Sequence, residues 1–151
     1  MHDHVRVSVE PGSDVQEELA VIVLPEDAYQ LVVPPALTLG LAAGDVFAVD
    51  PVTSQPKVLR RGGNLTIWLH PHGAAEEARS LSDEVAALGG TLEGSAHEDR
   101  VFIFTLPVTA TFPAVEAVFN RFVEQHPESE WYFGNVYAAD GVTPLGWWEA
   151  L

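Results

Sequence analysis

The order in which the hydrophobic period changes along residues 64–137 restricts the fold more than any other feature. Leu65-Thr66-Ile67-Trp68-Leu69 alternates with the two-residue period of a strand and is broken by Pro71-His72-Gly73. Ala78, Leu81, Val85 and Leu88 then recur at helical spacing, with Glu76, Glu77, Arg79, Asp83 and Glu84 on the other faces. Gly89-Gly90 closes that helix, as glycine does where the chain must leave it left-handed. Thr91-Leu92-Glu93 starts a short strand, Ala96-His97-Glu98-Asp99 is a polar turn, and Val101 to Leu106 is an apolar central strand. Thr111 is placed to cap a second helix, with Pro113 early where its missing amide is harmless. Val115, Val118, Phe119, Phe122 and Val123 form its buried stripe, and Trp131 to Tyr137 is a last strand. Strand and helix thus follow as β-α-β-β-α-β, the ferredoxin-like arrangement, in which both helices lie on one face of an antiparallel sheet. The opposite face must meet water, the rest of the chain or a partner.

The front of the chain reads differently. Val5, Val7 and Val9 alternate with polar residues, and Pro11-Gly12-Ser13-Asp14 turns the chain. Leu19 to Leu24 is a strand apolar on both faces, and Tyr29 to Val33 is another, stopped by Pro34-Pro35. Leu39 to Ala43 is a crossing segment of small residues. Gly44-Asp45 turns into the strand Val46 to Asp50, and Lys57 to Arg61 is a fifth strand ending at Gly62-Gly63. The expected fold class is therefore α+β: a small curled antiparallel sheet over residues 1–63, a ferredoxin-like βαββαβ half over 64–140, and a tail over 141–151.

Composition excludes several function classes. With no cysteine there are no disulfides, thiolate nucleophiles or cysteine metal sites. No apolar run approaches the roughly 20 residues that cross a bilayer, and Met1-His2-Asp3-His4 lacks the basic start of a signal peptide. The reading is a cytoplasmic protein with no membrane contact. Seven Lys and Arg face 22 Asp and Glu, for a net charge of −15. That field repels nucleic-acid phosphates and attracts basic surfaces; the plain alternative is solubility or a saline cytoplasm.

No assembled chemistry is legible. His70-Pro71-His72 offers two imidazoles at a strand end but no third ligand, and His2, His4, His97 and His126 are isolated, so no metal site is expected. Ser80, Ser82, Ser95 and Ser129 lack a nucleophile context. The carboxylate pairs Glu76-Glu77, Asp83-Glu84 and Glu98-Asp99 are what 22 acids produce by chance. Gly62-Gly63 and Gly89-Gly90 lack the lysine and serine of a phosphate loop. Lys57, Arg60 and Arg61 are the one basic cluster, too little for a nucleic-acid platform. The expectation is no catalytic residue and no cofactor.

Aromatic residues remain. Alternation in the last strand puts Trp131, Phe133 and Asn135 on one side and Tyr132 with Val136 on the other. Adjacent Trp147-Trp148 must point to opposite faces of an extended tail. These side chains are either core or a binding patch, since tryptophan and tyrosine are enriched at interface hot spots.

Leu41 to Asp50, following Tyr29 to Pro34, resembles the front half of an uncharacterised bacterial family of small acidic proteins. The likeness runs from about Leu19 to Tyr137 and is carried by pattern, with Gly44-Asp45-Val46 the one motif-like element. That family has no activity to carry over, and the plain role of Gly44-Asp45 is a tight turn. The back half is also loosely similar to the regulator of ribonuclease E activity, B type, an acidic ferredoxin-like inhibitor by contact. This chain departs from that family by its whole strand-rich front half and shares no motif with it. The functional expectation is a protein-binding inhibitor, foremost an immunity protein neutralising a basic bacterial toxin. Its partner-facing candidates are Glu93, Glu98, Asp99, Trp131, Tyr132 and Trp148. A small-molecule or regulatory domain with a ligand between the two halves is the alternative, and an enzyme holding His70, His72 and a carboxylate in one pocket is a third. The oligomeric state is not legible.

Overall fold

Two antiparallel sheets carry the chain, and the segment between them decides how they meet. The computed structural model describes residues 2–151. The first sheet is a meander of β1 (Asp3–Ser8), β2 (Gln16–Leu24), β3 (Ala28–Leu31), β4 (Val46–Val49) and β5 (Pro56–Arg60), each paired with the next. Val7, Leu19, Val21, Leu31 and Phe47 line its inner face and close around Leu41. From Leu19 to Leu24 the sequence of β2 is apolar on both faces. Neither face is covered at its far end: Ile22 on the outer face and Val23, beyond Leu19 and Val21 on the inner one, stay 47% and 55% exposed. Strand β3 ends at Leu31, short of Val33, because residues 32–35 peel away towards the second sheet.

The second sheet contains β6 (Asn64–His70), β7 (Thr91–Ala96), β8 (Val101–Pro107) and β9 (Glu130–Phe133) in the order β7-β8-β6-β9, all antiparallel. This is the ferredoxin-like order that the periodicities imply. Helices α1 (Ala75–Arg79), α2 (Ser82–Ala87) and α3 (Phe112–Gln125) cover one face. The core between them holds Leu65, Ile67, Leu69, Phe102, Phe104 and Leu106 from the sheet, with Val85, Val115, Phe119 and Phe122 from the helices.

Three local expectations are corrected here. The helix through Ala78, Leu81 and Val85 is two short pieces. The Leu81 amide bonds back three residues to Ala78, and the Ser80 hydroxyl donates to the Glu77 carbonyl at 2.7 Å, competing with the helical ladder. Thr111 does precede α3, but it has a φ of 76° and no side-chain capping bond. The last strand stops at Phe133, where a side chain replaces backbone in the ladder. Asn135 Oδ1 accepts from the Thr66 amide and its Nδ2 donates to Asn64 O, both at 2.9 Å. The break lets Val136 turn into the helix-side core, so it does not share a face with Tyr132. Gly134 is required at this point: a Cβ there would lie 2.9 Å from Thr66 Cγ2.

The face without helices is covered by the chain itself. Residues 34–43 run across it over Trp68, Val101 and Ile103. Trp68 Nε1 donates to Pro35 O, Thr66 Oγ1 to Leu41 O and the Gly40 amide to Gly134 O, all at 2.8 Å. Glu17 on β2 anchors the start of the segment, accepting from the amides of Ala36, Leu37 and Thr38.

Asp45 anchors its end and is fully buried. Its carboxylate accepts from the Ala42 amide (3.0 Å), the Gly62 amide (2.9 Å) and Arg61 Nη1 (3.1 Å), while Arg61 also donates to Gly40 O at 2.7 Å. Burial dominates and pushes the acid's pKa up, against the amides and guanidinium that favour the charged form. The two turns touch so closely that a Cβ on Gly62 would sit 2.7 Å from the Gly44 carbonyl carbon. Among the described residues every buried side-chain nitrogen and oxygen has a hydrogen-bond partner. No helix of the described residues is long and apolar enough to cross a membrane.

Removing one partner of a buried ion pair leaves the other uncompensated, at a cost of about 3–5 kcal/mol. Asp45→Ala is therefore expected to lose stability on that scale in urea denaturation, and Asp45→Asn, which keeps an acceptor, to lose less. Equal losses from both would mean that the acceptor kept by asparagine contributes nothing, and no loss from Asp45→Asn would mean that the charge on Asp45 is unimportant.

Candidate functional site

Almost all the negative charge is on the surface: eighteen of the 22 acids are exposed and one, Asp45, is buried. The helix layer carries Glu76, Glu77, Asp83, Glu84 and Glu124 exposed. Its two cations are already engaged, Arg79 with Asp99 at 2.8 Å and Arg121 with Glu84 at 2.9 Å. Among the described residues the cations without an ion pair are Arg6, Lys57 and Arg60 on the first sheet, and Arg100 beside the β7–β8 turn. The helix layer thus presents acids with no cation free of an ion pair.

The sequence candidates fall into two groups. Glu93 is exposed at the register break of β7 and accepts from the Thr105 hydroxyl at 2.7 Å. Glu98 and Asp99 sit in the β7–β8 turn, where His97, Glu98 and Asp99 all have left-handed backbone (φ 54°, 57° and 64°). Asp99 accepts from Ser95 Oγ and from Arg79, and these bonds, the serine first, hold its carboxyl below the usual range. It is largely occupied within the chain, whereas Glu98 is open.

The aromatic group lies on β9, three strand positions from β7 and so roughly 14 Å across the sheet. Trp131 is half-buried, donating to Asn120 Oδ1 at 2.9 Å and packing against Phe119 and Phe133. Trp148 is half-buried edge-on to Phe112, with ring centroids 5.0 Å apart. Tyr132 alone is 50% exposed, and its hydroxyl donates to Glu130 at 2.6 Å, a bond that raises the phenol pKa. The adjacent Trp147 donates to Asn135 O and lies under the Arg61 guanidinium, 5.5 Å from its ring centroid.

Several hollows open on the surface of the described residues. One of about 480 Å³ lies at β9, walled by Trp131, Tyr132, Phe133, Tyr137 and Leu39, with Glu116 and Asn120 of α3 on its rim. A second, about 360 Å³, lies at the junction of the two halves, between Val9, Val58 and Arg61 on one side and Tyr137 and Leu145 on the other. A third, about 660 Å³, brings His70 and His72 beside Glu98 and Asp99. Among the described residues, no three histidines or carboxylates converge to hold a metal ion.

Leu39, Glu116 and Tyr137 were not singled out from the sequence. Nothing local marks them, because the 34–43 segment, α3 and the loop after β9 meet only in the fold. That loop is held by Asp140, which accepts from the Val142 amide and from the amide and hydroxyl of Thr143. The hydroxyl bond leads in lowering its pKa to about 2.

Residues 17–131 match the family described as a domain of unknown function, DUF4265, and the chain belongs to that family. No curated protein matches. A solved structure described as a novel crystal structure of a hypothetical protein from Neisseria gonorrhoeae shares the fold. Its TM-score is 0.64 at 15% identity, covering 89% of this chain and 94% of that one.

Asp140 has a folded pKa of about 2 against an ordinary 3.8, so its contribution to stability is present above about pH 4 and is lost as the pH falls through 2. The melting-temperature gap between wild type and Asp140→Asn is expected to be widest near pH 6 and to narrow steadily towards pH 2. A gap independent of pH would contradict this account of the loop.

Proposed function

We propose that this protein is an acidic protein-binding inhibitor, foremost an immunity protein that neutralises a basic bacterial toxin in the cytoplasm by covering its active site. One observation carries the reading: the acids are displayed and the cations of the helix layer are tied to acids within the chain. A surface of this kind attracts a basic macromolecule over several ångströms and speeds encounter. The exposed Glu98 and Tyr132, with the half-buried Trp131 and Trp148, supply charge and aromatic anchors of the kind found at interface hot spots. The loose likeness of the back half to the regulator of ribonuclease E activity, an inhibitor by contact, supports the same class.

Co-expression with toxin-domain genes encoded beside its own is expected to abolish the toxicity of one of them, and a basic protein should co-purify. The association rate should fall by about tenfold or more between low and high salt, as electrostatic steering requires. If no toxicity is relieved and no basic protein is retained, the reading fails.

The junction hollow favours a second reading. It is mostly apolar with a few polar groups, Arg61 and Gln55 among them, the chemistry of a small-ligand site. A metabolite that binds there would raise the melting temperature by mass action, and Val58→Trp, which fills the hollow, would remove that shift.

A further inference from the structure

The hollow at β9 lies across an open sheet edge. The Gly134 amide donates to Thr66 O at 2.7 Å, and Phe133 stands opposite Ile67 in the antiparallel register. Backbone groups along such a strand point alternately to one neighbour and the other. Tyr132 therefore faces β6, and the amides and carbonyls of Trp131 and Phe133 face away from it. Among the described residues these outward groups have no hydrogen-bond partner. The hollow draws its walls from both faces of the sheet, Glu116 and Asn120 from the helix side and Trp68 and Leu39 from the other. It follows that the unpaired edge runs along its floor.

The other edges are blunted in ways that discourage pairing. Strand β7 breaks its register between Leu92 and Gly94, β5 begins at Pro56 and carries Lys57 and Arg60, and β1 carries Arg6. Strand β9 instead presents Trp131-Tyr132-Phe133 in succession. The lining residues include one charged side chain, Glu116, and no cation, and the exposed Glu130 begins the strand. Aromatic walls with a carboxylate at the rim suit an arginine or lysine side chain.

We propose that the open edge of β9 takes an extended, basic segment of a partner protein as a fifth strand of the second sheet, with one cationic side chain lodged in the hollow beside Glu116. This names the docking element for the inhibitor reading and rests on it. Main-chain bonds to Trp131 and Phe133 would hold the segment, and the hollow would select its side chain, as in strand addition generally. A second copy of this chain is a poor occupant, because pairing two β9 edges would set Glu116 and Glu130 of two molecules of charge −15 against each other.

The probe is an acetylated and amidated peptide alternating arginine with valine. The control has equal charge but proline in place of every second valine, so that it cannot complete a ladder. In amide-resolved NMR the first peptide should shift Trp131 and Phe133 saturably, and the proline control should bind about tenfold more weakly. Glu116→Lys should weaken the first peptide by about the same factor. Equal binding of the two peptides, shifts confined to the helix layer or the β7–β8 turn, or self-association of the protein through β9 would each overturn the proposal. A neutralised basic toxin that binds Glu116→Lys and Tyr132→Arg as tightly as wild type would remove the edge as its docking site and leave the inhibitor reading standing. Binding of the peptide as described, with no toxin neutralised, would have the reverse meaning.

Discussion

A single buried carboxylate fixes how the two halves of this molecule meet. Asp45 ends the crossing segment, and its oxygens bind the amides of Ala42 and Gly62 and the guanidinium of Arg61. Those partners lie on the crossing turn and on the link between the sheets, so one side chain holds both in register. A charge removed from water is costly unless all of its acceptor capacity is used. The glycines on either side are part of the same solution, because Gly44 and Gly62 approach too closely for any side chain on Gly62.

With that clamp in place, the helix-free face of the ferredoxin-like sheet is closed by the molecule's own backbone. Pro35, Gly40 and Leu41 supply bonding groups to Trp68, Gly134 and Thr66, and Glu17 holds the start of the segment down. The chain then leaves the sheet at Gly134, where Asn135 satisfies the amide and carbonyl that a continuing strand would have paired. The consequence is a short terminal strand whose outer edge is free and whose neighbourhood is aromatic, with Glu116 beside it.

The sequence was most legible where one residue's neighbours decide its environment. Alternation in Leu65 to Leu69, the apolar run Val101 to Leu106 and the stripe Val115, Val118, Phe119 and Phe122 each became the core they implied. It was least legible where a side chain intervenes in the backbone ladder. Ser80 splits a helix, Thr111 precedes one without capping it, and Asn135 ends a strand that aromatic propensity would prolong. The candidate residues show the same division. Exposure of Glu93, Glu98 and Tyr132 could be expected from their setting in strands and turns. The engagement of Asp99 with Arg79, and of Trp131 with Asn120, depends on contacts between residues far apart in the chain.

By itself the sequence determined the order of elements, the α+β class, the absence of cysteine chemistry and the sign of the surface field, because periodicity and composition are local or additive properties. Only the tertiary structure decided which face the crossing segment covers, which acids are occupied internally, and that His70 meets Glu98 while Glu116 meets Trp131 in a hollow beside an open strand. Those outcomes depend on distances between residues that the chain keeps apart and that only packing around Asp45 and the second sheet brings together.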